Sequence, residues 1–204
     1  MFAKQNYEQG NIAVDAVIFT VYDQNLLVYL NTREKEPFKG LFELPGGLLL
    51  PNETAEDTLS RKLKDIVENN DVFFEQFRTF TKPKRDPRGR TISIGFIALV
   101  PYDHIINTKN LCPVNSLSDL AFDHIEIIMK AQKYLEENTD KLARQFMPKL
   151  FPINDLQIVY EVAGQKKLDN RNFRKKVLDS GVLKKMGKTQ KNVTHRPANL
   201  YQFK

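Results

Sequence analysis

Residues 12–22, IAVDAVIFTVY, constrain the fold more than any other stretch of the chain. The run is apolar and rich in β-branched residues, and it reads as a buried strand. A buried strand commits the chain to a sheet, and further segments supply partners. NLLVYLNT follows the short turn Asp23–Gln24, as in a hairpin. DVFFEQFRTF and TISIGFIALV read as strands separated by the charged loop TKPKRDPRGR, while EKEPFKGLFELPGG is loop-rich with short extended pieces. Helices alternate with these strands. Thr54 caps a predicted helix reaching Val67, with Glu56 and Asp57 in its first turn and Leu59, Leu63, Ile66 and Val67 at helical spacing. A second amphipathic helix is predicted from about Phe122.

The C-terminal part has a different rhythm. Asn154 is the expected cap of a helix carrying Leu156, Val159, Tyr160 and Ala163, ending near Gly164. Asp169 caps a following helix whose apolar residues, Phe173, Val177 and Leu178, are expected to face inward, and Gly181 sits at its C-terminal stop. VLKKMGKTQKNVTHRPANLYQF then reads as two strands joined by a basic loop. Helix, turn, helix and basic hairpin make a winged helix-turn-helix pattern. Pro148 marks the expected boundary, giving domains 1–148 and 149–204 within an α+β chain.

Charge follows the same division. Residues 149–204 hold 13 basic and 4 acidic residues, a net of +9, leaving −3 for the rest. A basic unit on an acidic one implies separate partners, the basic one meeting a polyanion. Asn170, Arg171, Asn172, Arg174, Lys175 and Lys176 line the outward face of the second helix. Arg and Asn read guanine and adenine in the major groove, while Lys mostly finds phosphate. Lys184, Lys185, Lys188, Lys191, His195 and Arg196 gather in the expected wing, with His195 read as an exposed loop residue.

The single cysteine, Cys112, excludes an internal disulfide framework and reads as a small core residue. No apolar run approaches the ~20 residues that span a bilayer, and the polar start MFAKQNYEQGN has no apolar signal core. The expected location is the cytoplasm.

LPGGLLLPNETAEDTLSRKLKDIVENN, residues 44–70, carries the chemistry. Gly47, Glu53, Arg61 and Leu63 occupy places of the Nudix signature, and the preceding LFELPGG is also Nudix-like. The resemblance implies an α/β/α sandwich with a mixed sheet. It also implies glycines that let backbone approach a diphosphate, and three helix glutamates that bind Mg²⁺ to activate water. Those three places here hold Lys62, Asp65 and Ile66. A hard cation needs several oxygen ligands, and this set offers one short carboxylate, one aliphatic side chain and one repelling ammonium.

Over residues 12–203 the chain resembles Nudix-related transcriptional regulators of the NrtR type. The resemblance rests on the order of a Nudix-like domain, the RDPRGR loop, the LAFDH helix start and NFRKKVLDSGVLK…RPANLYQF. It implies a ligand-responsive regulator, with a Nudix domain sensing a nucleotide-type or sugar metabolite such as ADP-ribose and a winged helix on an operator. Expected ligand contacts are Gly46, Gly47, Arg85, Arg88 and Arg90; Lys84 shares their loop. Expected DNA contacts are Asn170, Arg171, Asn172, Arg174, Lys175, Lys185 and Arg196. The expected partners are double-stranded DNA, a small effector and a second copy of the chain, with no resident cofactor. The alternative is a Nudix hydrolase cleaving ADP-ribose or a related nucleoside diphosphate derivative, for which Mg²⁺ would be required.

Overall fold

The computed structural model describes residues 9–68, 72–190 and 197–204. Strand β1 (Asn11–Tyr22) is central to a six-stranded mixed sheet of order β6-β7-β1-β2-β8. It runs parallel to β7 (Thr91–Leu99) and antiparallel to β2 (Asn25–Tyr29). Beyond β7 lies β6 (Phe73–Phe80), and beyond β2 lies β8 (Leu111–Pro113). The β1–β2 turn is tight because Asp23 and Gln24 both take positive φ, as a two-residue hairpin demands. The short pair β3 (Asn31–Thr32) and β4 (Phe42–Glu43) precedes β5 (Gly46–Leu48). The edge of β1 that pairs with β2 at its C-terminal end pairs with β5 at its N-terminal end.

Both faces of β1 are covered, which accounts for its near-continuous apolar sequence. Val14, Ala16 and Ile18 pack with Leu59 and Leu63 of helix α1 (Ala55–Leu63) and with Ile66. Val17 and Phe19 pack with Ile127, Ile128, Ala131 and Leu135 of helix α2 (His124–Glu137). The result is the expected α/β/α sandwich.

Three helix boundaries differ from the sequence expectation, those of α1 and α2 first. Helix α1 ends at Leu63 rather than Val67. Its Thr54 cap forms as expected, reciprocated by Asp57. Past Leu63 the backbone leaves the helix to bond with residues 104–106: Ile106 N donates to Ile66 O and Glu68 N to His104 O. Ile66 keeps its place in the core, but the signature positions 62, 65 and 66 no longer share a helix face. Helix α2 starts at His124, because Phe122 takes φ 56° and cannot continue a right-handed turn.

Ahead of Pro148 the chain is helical, with α3 (Thr139–Leu142) and a 3-10 turn over Ala143–Phe146. Leu142, Ala143 and Phe146 join the first core. Strand β9 (Phe151–Pro152) leads directly into α4 (Ile153–Ala163), so Pro152, not Asn154, occupies the cap position. Helix α5 (Asn170–Asp179) is capped by Asp169, whose Oδ1 accepts from Asn172 N, and Gly181 follows at φ 69°. Strands β10 (Leu183–Thr189) and β11 (Asn199–Phe203) complete the wing, with β9 as third strand. Phe151, Ile153, Leu156, Phe173 and Tyr201 form the second unit's small core. Leu178 is an exception to the inward face, at 42% exposed. Phe173 alone is buried on α5, because the unit is too small to cover a full stripe.

Helix α4 belongs to both cores. Ile153 and Leu156 enter the winged-helix core, while Val159 and Ala163 enter the sheet core. Denaturant unfolding of the full chain should therefore be one cooperative transition. Val159→Asp, which buries an unpaired charge at this seam, should cost about 3 kcal/mol or more and split the transition in two, as read by fluorescence and far-UV dichroism together.

Candidate functional site

A cavity of about 280 Å³ opens beside β1 and β5, floored by Asp15 and rimmed by Gly46, Gly47, Arg33, Lys62, Arg88 and Phe122. The β6–β7 loop reaches it through the buried side chains of Arg85 and Asp86 and the half-exposed Arg88. Arg85 donates from Nε and Nη2 to the two carboxylate oxygens of Asp123, at 3.0 and 2.6 Å, and from Nη2 to Asp15 Oδ2 at 3.0 Å. Ser93 Oγ donates to the same Asp15 oxygen at 2.6 Å. Burial would raise the Asp15 pKa; the facing His124 ring, the Ser93 hydroxyl and Arg85 outweigh it and hold the carboxyl well below the usual range. The Leu44 amide donates to His124 Nδ1 at 2.9 Å, so the ring carries its proton on Nε2, 3.5 Å from Asp15 Oδ1.

The expected ligand residues divide. Gly46, Gly47, Arg85 and Arg88 line the cavity; Arg90 does not. Arg90 instead closes its own loop, donating to Thr81 O at 3.0 Å. Arg85 lines the wall but is 9% exposed and already engages two carboxylates, so it fixes the site rather than standing free for an anion. Arg88 is held by its neighbour Asp86 at 2.8 Å and keeps a half-exposed side chain. Gly46 answers to strand pairing: a methyl group there would lie 2.4 Å from Val14 O. Sequence reading missed Asp15, Arg33 and Phe122. Arg33 pairs with Glu43 at 2.7 Å, and the Arg33 and Arg88 guanidinium carbons lie 4.7 and 5.1 Å from the Phe122 ring centre. The single charge within β1 was the available signal for Asp15; nothing local marked Arg33.

The remaining box residues do not suit a divalent cation. Glu53 takes both hydrogen bonds of Arg61, at 2.7 and 2.6 Å, and accepts from Thr58 Oγ1 and Leu50 N as well. Those bonds, Arg61 foremost, pull its pKa down to about 2. Asp65 is exposed and Ile66 is buried in the core. Among the described residues no group of three or more His, Cys, Asp or Glu is placed to hold a metal ion.

The second surface is the outer face of α5. Asn170, Arg171, Asn172, Arg174, Lys175 and Lys176 are all exposed, along a helix of about 15 Å. Lys184, Lys185 and Lys188 are exposed on β10. Lys191, His195 and Arg196 lie outside the described residues.

Residues 143–203 match the model of the NrtR DNA-binding winged helix domain. The structure of Shewanella oneidensis NrtR complexed with a 27mer DNA is 31% identical to this chain, covering 95% of it and 93% of that chain, with a TM-score of 0.81. The chain belongs to the NrtR family. A further NrtR-like relative, the ADPR responsive transcriptional repressor NtrR of Acinetobacter baylyi, is 29% identical over 99% of this chain and 85% of its own length. The isolated Nudix domain of Shewanella NrtR, solved with ADP ribose, is 32% identical over 66% of this chain and 94% of that one, with a TM-score of 0.55. On the hydrolase side, the ADP-ribose pyrophosphatase of Methanocaldococcus jannaschii is 34% identical over 60% of this chain and 73% of its own.

The Asp15 carboxyl is ionised more readily in the folded chain than in the unfolded one, so its stabilising effect is complete above the unfolded pKa of about 3.9 and fades as pH falls below it. Asp15→Ala should lower stability at neutral pH by about 3–5 kcal/mol, because Arg85 loses a buried partner. It should also reduce the further stability lost as pH falls from about 4 to about 2, measured by urea titration across pH.

Proposed function

We propose that this NrtR-family chain is an effector-responsive transcriptional repressor. The face of α5 and β10 binds operator DNA, and the cavity beside β1 binds ADP-ribose or a close relative. The functional units divide near Pro148. The reading is carried by one observation: a chain that follows a DNA-bound regulator over 95% of its length presents its second winged-helix element as an exposed, basic helix. Arg174 and the N-terminal residues of α5 reach base edges, since the start of a recognition helix enters the major groove. Lys184, Lys185 and Lys188 meet phosphates. The acting form is a homodimer, with two α5 helices in successive major grooves about 34 Å apart or a multiple of that.

The hydrolase reading draws on the pyrophosphatase relative but needs a metal that Lys62, exposed Asp65 and buried Ile66 do not hold. No step through Mg²⁺ is derived for this chain. Incubated with Mg²⁺ and ADP-ribose, the purified protein should release no AMP above background; turnover on the order of 1 s⁻¹, modest for an enzyme, would restore the hydrolase reading.

Anisotropy titration against DNA upstream of the gene and its neighbours tests the regulator. Arg174→Ala should weaken the specific site by about 1–3 kcal/mol and random DNA far less. Lys185→Ala should weaken both alike and reduce the log–log salt slope by about 0.9 for each protomer bound, about 1.8 for the dimer. ADP-ribose should lower operator affinity. Equal weak binding to all DNA, unchanged on deleting residues 149–204, removes the repressor reading.

A further inference from the structure

The cavity's cations are not equivalent. Arg33 is matched by Glu43, Arg88 by Asp86, and Arg85 by Asp15 and Asp123. Lys62 lines the same cavity, and its side chain takes part in no hydrogen bond or ion pair among the described residues. It stands where the Nudix signature has the first of its helix glutamates, in the last turn of α1, where a cation is favoured by the helix dipole. Its side chain lies across Gly47. A methyl group at Gly47 would sit 3.0 Å from Lys62 Cε and 3.3 Å from Nζ. Gly47 has no positive φ to require a glycine. The missing side chain therefore makes room for the ammonium, within the strand the signature uses to approach a diphosphate.

We propose that Lys62 Nζ takes over the electrostatic part of the metal's role: it contacts the diphosphate of a nucleoside diphosphate sugar directly, so that effector binding needs no divalent cation. The proposal rests on the cavity being the effector site. A diphosphate bridge entering a cavity whose guanidinium groups are already balanced by carboxylates requires an uncompensated positive charge, and Lys62 supplies it. An ammonium binds phosphate as a point charge with three donors and tolerates several phosphate geometries. Being covalently attached, it is present at any metal concentration, which suits a sensor. It also repels Mg²⁺, so the charge that holds the ligand disfavours the ion that would hydrolyse it.

Calorimetric titration of the full chain with ADP-ribose and with ADP, in EDTA and in millimolar Mg²⁺, tests this. The wild-type dissociation constants should agree within about twofold between the two buffers. Lys62→Met, which keeps the apolar stem, and Lys62→Gln should each weaken both ligands at least tenfold in EDTA and flatten the salt dependence of binding; Lys62→Arg should restore most of the affinity. Thermal melts establish that the variants fold. Wild-type binding that disappears in EDTA overturns the proposal, as does wild-type affinity in Lys62→Met and Lys62→Gln, and in both cases the effector reading stands. If the wild-type chain binds neither compound in either buffer, the effector reading falls with it.

Discussion

A guanidinium withdrawn from water costs several kcal/mol unless its charge and its donors are met. Arg85 is met by two carboxylates, one in the middle of β1 and one at the start of α2. The exposed loop between β6 and β7 is thereby tied to the centre of the sheet and to the helix covering it. Once Arg85 is in place, Asp86 is held alongside, and Asp86 in turn holds Arg88. Asp123 anchors the residue before it, Phe122, whose left-handed backbone places its ring against Arg33 and Arg88. The cavity wall is thus a chain of dependencies that begins at one buried ion cluster. Such a cluster is weak evidence for net stability, since apolar residues of the same shape often serve as well. What it secures here is the position of a polar loop that has no core of its own.

The sequence was legible wherever the determinant is local. The β1 run, the two-residue turn at Asp23–Gln24, the Thr54 and Asp169 caps and the stop at Gly181 each depend on residues within a few positions of one another. It misled where the determinant is distant. Helix α1 stops at Leu63 because residues 66–68 bond with residues 104–106, nearly forty positions away. Arg85 and Arg90 look alike in KPKRDPRGR, yet one is buried against Asp15 and the other turns back to Thr81. Gly46 and Gly47 are adjacent and identical, yet a methyl group at the first would strike the backbone of a neighbouring strand and at the second would only press on the end of a lysine side chain. No reading of residue type separates them without the fold.

The Nudix box of this chain keeps its packing residues without the carboxylate set of the signature. Glu53 and Arg61, both from the signature, survive as a bidentate pair that closes the loop ahead of α1. Ile66 has become core. The scaffold residues of the box serve folding, and the positions where the signature has its helix glutamates hold Lys62, Asp65 and Ile66.

Helix α4 contributes to two cores at once, and this has a mechanical consequence. With no flexible tether between the sheet and the winged helix, α5 is carried on the sheet like an arm on a shaft. A small rotation of the sheet unit moves the tip of that arm through a displacement proportional to its distance from the axis. In a symmetric pair, two such arms swing in opposite senses, so a tilt of a few degrees at the centre changes the gap between their tips. In the proposed homodimer, the separation of the two halves of the operator would then record the tilt of the sheet units that carry the arms.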